Sequence, residues 1–220
     1  LASRRFCNVY AMLVALPATF LEPGQIIASA APLTGALHAG RYPSGVDDTI
    51  ATVCAALDSS NFTSEPDPAV MRLKYRKLWR NLGNGVELAT HRLSWGASGT
   101  IGEFTAALRE EGLRCFAAAG IDSATGEEYE SRVISRYKAQ PVGGAARSAS
   151  STWQGVLRGN TIVESDYLNG EIVLLGALHG VPTPYNTAVR RAAVLAAAAG
   201  PDAPAHSLEA LLDDVRKLAG

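Results

Sequence analysis

Lys77, Asn81 and Asn84 recur at i, i+4 and i+7 in a segment whose apolar positions follow a helical period. On a wheel of about 100° per residue they share a stripe with Val70, Leu73 and Leu88. Arg72, Arg76, Arg80 and Glu87 fall on another side, which reads as a solvated face. An unpaired ammonium or amide set into an apolar face is costly, so such a row needs partners or a ligand. In one reading the lysine snorkels outward and the asparagines pair with backbone. In the other, an ammonium beside two amides binds a carbonyl oxygen, donates a proton and orients a substrate. Spacing leaves both open and names no reaction.

A second group begins in the run Arg147-Ser148-Ala149-Ser150-Ser151-Thr152, where hydroxyls and amides enter a helix start. That arrangement suits a carboxylate or phosphate, and equally suits simple capping by Ser150 or Ser151. Glu164 and Asp166 open the next helix, where the dipole alone favours them, yet Glu164 shares a face with Leu168, Ile172 and Leu175. His179 reads as a helix C-terminal residue. His38, His91 and His206 have no Ser, Asp or ligand partner nearby in sequence, so neither a metal site nor a Ser-His-Asp order is expected.

The elements that must position these groups change in texture along the chain. The early part is β-rich, with strands expected at residues 9–16, 25–29 and 33–41 and a helix at 46–57. After Pro66 long helices follow: one from Pro68, then 102–119, 123–137, 151–158, 164–179, 184–199 and 207–218, many stopped by glycine. Residues 138–150 read as a loop. A 47% hydrophobic and 19% charged composition is that of a compact domain, and a net charge of −1 offers no general pull towards nucleic acid or membrane. Apolar runs are too short to span a bilayer, no leader pattern opens the chain, and three scattered cysteines suit a reducing, cytoplasmic setting.

Taken together, KYRKLWRNLGN (74–84), SSTWQGVLRG (150–159), ESDYLNG (164–170) and HGVPTPYN (179–186) resemble the ketopantoate reductase family in order and separation. The early LEPGQ and GRYPSG segments resemble later strands of that family's nucleotide-binding domain. The resemblance implies a partial Rossmann-type domain over 1–66, joined to an all-helical substrate and dimerisation domain over 67–220. That second domain would be of the 6-phosphogluconate dehydrogenase C-terminal type. It implies NADPH-dependent reduction of 2-dehydropantoate to (R)-pantoate, for coenzyme A synthesis. Lys77 matches the general acid, Asn81 the substrate-positioning amide, and Ser151 the serine that binds the substrate carboxylate. Glu164 matches the glutamate beside lysine and cofactor, counted with both catalysis and cofactor binding. Asn84 is a further substrate-binding candidate. A homodimer is left open.

The departures are specific. Gly85 stands where the family has a second asparagine, and Gly155 where an aspartate follows the serine by one turn. No clear counterpart to a further asparagine appears around residues 91–99. A G-x-G-x-x-G fingerprint is absent; Gly99–Gly102 and Gly143-Gly144 are weak lookalikes. The opening at Leu1 reads as a cut through a larger protein, with about 90 to 100 residues of a mononucleotide-binding half upstream. The alternatives are a related hydroxyacid dehydrogenase with another small keto acid, and a truncated, inactive helical dimerisation module.

Overall fold

The computed structural model describes residues 2–92, 94, 96–142 and 150–220. In chain order the elements are β1 (Tyr10–Met12), β2 (Ala18–Thr19), β3 (Ile27–Ala28), β4 (Ala30–Pro32), β5 (Ala39–Arg41), α1 (Asp48–Asp58), α2 (Val70–Asn81), α3 (Asn84–Thr90) and α4 (Gly99–Ala118). They continue with α5 (Gly126–Arg132), β6 (Tyr137–Ala139), α6 (Ser151–Leu157), α7 (Ser165–His179), α8 (Pro184–Ala199) and α9 (Leu208–Ala219). Two compact units result: Leu1–Lys77 with Ser123–Arg147, and Leu78–Asp122 with Ser148–Gly220. The division between these units runs through α2.

The first unit is built on alternation. Ala11, Leu13 and Ala15 are buried while Met12 and Val14 point away, the period expected of a half-buried strand. β1 pairs antiparallel with β5, Ala11 facing Gly40. The ladder continues as the Leu13 amide donates to His38 O over 2.8 Å and Ala15 and Ala36 exchange bonds of 2.9 and 2.8 Å. On the other flank Ala36 and Ala39 form parallel bridges to Thr63 and Pro66. Gly40 has to be glycine here, because a Cβ would lie 2.0 Å from Asp67 O.

Val70 and Leu73 of α2 join one apolar cluster with Ala11, Leu13, Ala15, Ala36, Ala124, Tyr129 and Val133. Each such leucine contributes about 1.5–3 kcal/mol on burial, which fixes α2 against the strand. The same cluster draws α5 into this unit. The helix expected over 123–137 stops at Arg132, since β6 pairs antiparallel with β4, Ala31 facing Lys138. Strand pairing wins there over a local helical pattern, and part of the expected 138–150 loop becomes strand.

The second unit is helical among its described residues. The single helix expected from Pro68 past Leu88 is broken at Leu82–Gly83, and α3 restarts at Asn84. A Cβ at Gly83 would meet Ser94 Oγ at 2.5 Å, and that hydroxyl donates to Gly83 O over 2.9 Å. The restart turns α3 about its axis, so that Glu87, expected on a solvated face, is buried. Leu88, Val156, Val163, Ala193, Ala196 and Ala197 form an apolar cluster. Beside it Glu111 of α4 accepts from the amides of Tyr185 and Asn186 (2.8 and 2.9 Å) and from Asn186 Nδ2 (2.8 Å). It satisfies amides at the start of α8 that would otherwise be orphaned. Asn169 Nδ2 donates to Asn186 Oδ1 (3.1 Å) and to Leu82 O (3.2 Å), tying α7 to the break after α2.

Candidate active site

In the first unit Leu13 and Ala15 bond to His38 and Ala36 on one side of the strand, and the carbonyls of Met12 and Val14 are taken from α2. Two lysines of α2 take them. Lys74 Nζ donates to Met12 O over 2.9 Å, and Lys77 Nζ donates to Val14 O. Burial pushes the Lys74 ammonium below its ordinary value. Lys77 lies in the last turn-and-a-half of α2, partly exposed, and Asn81 follows one turn later as its final residue. Lys77 therefore has a backbone partner, and its ammonium is held in a defined place.

In the second unit Ser151 and Glu164 come together. Ser151 is the first residue of α6, and Ser150 caps that helix by accepting from the Trp153 amide at 3.3 Å. Ser151 Oγ donates to Glu164 Oε2 over 3.4 Å, both residues being exposed. Glu164 sits at the N-cap of α7, outside the core face on which its spacing with Leu168 and Ile172 placed it. Asn84 is 4% exposed at the start of α3. Arg147, Ser148, Ala149 and the Gly143-Gly144 pair lie outside the described residues.

Gly85 gains a structural reason. A Cβ there would stand 2.6 Å from Val189 Cγ1 and 2.8 Å from Asn169 Oδ1, so α3, α7 and α8 approach too closely for a side chain. Gly155 is also buried, with Asn160 Nδ2 at 3.4 Å from its virtual Cβ. His38, without a partner in sequence, is a satisfied core histidine. Its Nδ1 accepts from the Glu65 amide (3.2 Å), which leaves the proton on Nε2, facing Arg132 O at 3.0 Å. His179 closes α7 before Gly180, whose φ is +69°.

A sequence profile described as "Ketopantoate reductase PanE/ApbA C terminal" matches residues 59–197, a span that holds Lys77, Asn81, Asn84, Ser151 and Glu164. The chain belongs to the ketopantoate reductase family. That family is one of oxidoreductases. Among solved structures, the 2-dehydropantoate 2-reductase from Methylococcus capsulatus is similar at 23% identity and a TM-score of 0.66, over 86% of this chain and 58% of that one. The PanE/ApbA family ketopantoate reductase from Ralstonia eutropha JMP134 is similar at 20% identity and TM-score 0.63, over 86% and 59%. D-mandelate dehydrogenase in complex with NADH matches at 18% and TM-score 0.66, over 88% and 63%. At these identities the likeness is one of fold, and the chain spans about three fifths of each relative's length. No curated protein matches. Among the described residues no helix is long and apolar enough to cross a membrane.

Proposed function

We propose that this chain serves an NADPH-dependent reduction of a 2-keto acid, 2-dehydropantoate to (R)-pantoate, with Lys77 as general acid. The observation that carries the reading is the family match over residues 59–197, with each polar group of the family pattern that this sequence keeps lying inside it. The Lys77 ammonium holds the keto oxygen, neutralises the alkoxide that develops there and gives it a proton from Nζ. Asn81 orients the same oxygen from one turn further along α2. Ser151 Oγ turns from Glu164 to the substrate carboxylate, a swap made easy by a bond at the long end of the hydroxyl range. Asn84 is buried, so the amide contact is assigned to Asn81.

An exposed carboxylate at a helix N-cap, with one oxygen engaged only loosely by Ser151, fits hydroxyl or amide donors of a dinucleotide, and Glu164 is the residue of this chain that would hold them. The bound nicotinamide cofactor supplies the hydride. The sequence carries no G-x-G-x-x-G loop of its own for the pyrophosphate. Keeping the reaction in the cytoplasm and pairing the helical domain as a homodimer complete the proposal.

A second reading keeps the reaction and changes the substrate. Gly85 and Gly155 stand where the family has polar side chains, and at Gly85 the packing of Val189 and Asn169 leaves no room for one, which favours another small 2-keto acid. Turnover of a panel of 2-keto acids by the full-length protein, followed by NADPH and NADH consumption, tests both. Preference for 2-dehydropantoate with NADPH supports the first, preference for another keto acid the second. Absence of turnover across the panel removes both and leaves a helical dimerisation module.

A further inference from the structure

Glu87 is the largest discrepancy between the wheel and the structure, being 5% exposed within α3. Its Oε1 accepts from the Ser150 amide over 3.1 Å, across 63 residues of sequence. Among the described residues its Oε2 has no hydrogen-bond partner, nor does the hydroxyl of Thr152, itself 3% exposed. A buried carboxylate oxygen without a partner is expensive, whereas a glutamine would accept the same amide proton at lower cost.

The Ser150 amide is a particular target. When serine caps a helix, a glutamate or glutamine three residues on commonly reaches back to the cap's own amide. Three residues after Ser150 stands Trp153, whose ring packs on the apolar cluster and edge-on to His91 with centroids 4.6 Å apart. It offers no acceptor. Glu87 supplies that acceptor from another helix, beside the Ser150 hydroxyl cap on the first turn of α6.

We propose that Glu87 is a positioning residue for Ser151: by holding the Ser150 amide it sets where the next hydroxyl points. The charge strengthens that bond, and it also places a carboxylate one residue from the hydroxyl that receives a carboxylate. The inference rests on the reading of Ser151 as the substrate-binding serine.

Steady-state kinetics on the full-length protein test it, with the melting temperature of each variant measured alongside. Glu87→Leu should raise KM for the keto acid roughly tenfold or more through misplacement of the hydroxyl, with kcat within about threefold. Glu87→Gln, which keeps the acceptor and removes the charge, should bring KM back to the wild-type value or below it. Glu87→Leu should add nothing to KM in a Ser151→Ala background. If Glu87→Leu folds poorly, the donor can be removed instead. The Ser150 φ of −64° accepts proline, so Ser150→Pro compared with Ser150→Ala isolates the amide and should show the same rise in KM. An unchanged KM in Glu87→Leu or Ser150→Pro, while Ser151→Ala raises it, overturns the inference and leaves the function standing. An unchanged KM in Ser151→Ala removes the reading of Ser151 and this inference with it.

Discussion

Ser151 Oγ donates to Glu164 Oε2 over 3.4 Å, joining the first residue of α6 to the N-cap of α7. Both residues are exposed and the bond is long, so it contributes little to stability and leaves the hydroxyl ready to exchange partners.

Ser151→Ala should therefore leave the denaturation midpoint nearly unchanged. KM for the keto acid should rise about 10- to 100-fold, the range for a hydrogen bond to a charged group. Steady-state kinetics and urea unfolding on one preparation check the two halves together.

Gly85→Asn restores the family's residue and should harm the protein. The new Cβ meets Val189 Cγ1 at 2.6 Å and Asn169 Oδ1 at 2.8 Å, so α3 or α8 must shift. Overpacking of this kind costs about 1–3 kcal/mol. Chemical denaturation should show a loss in that range, with no gain in affinity for 2-dehydropantoate.

Glu111 gives a pH dependence of stability. Burial raises its carboxyl above the ordinary 4.5, outweighing the donors from Tyr185 and Asn186. The folded state then keeps a proton that the unfolded chain has released. Its contribution is complete below 4.5 and is lost as pH rises through the raised folded value. Urea midpoints of wild type and Glu111→Gln, taken at steps upward from pH 4.5, should lie closest at the acid end and separate as that window is crossed, the wild type falling relative to the variant.

Lys77, Asn81, Ser151 and Glu164 stand out in the sequence because they sit at helical spacings and helix starts, which are local, while the roles proposed for them come from the family resemblance. A wheel carried through Leu82–Gly83 misplaces Glu87, because it keeps a phase that the break resets. His38 and Glu111 were unreadable for another reason. Their partners lie 94 residues away at Arg132 and 75 residues away at Asn186, and no periodicity reports such pairs. β6 was lost in the same way, since its helical-looking neighbourhood yields to pairing with β4.

If Lys77 does chemistry beyond bracing a strand, Lys74 is the natural control, since the two donate to carbonyls of the same ladder, at Val14 and Met12. The decisive measurement is kcat of Lys77→Ala beside Lys74→Ala in the full-length protein. A general acid at Lys77 should give a fall of about 10²- to 10⁴-fold for Lys77→Ala, the usual contribution of such a group, and a change within severalfold for Lys74→Ala. Equal effects of the two substitutions, or an unchanged kcat in Lys77→Ala, would contradict it.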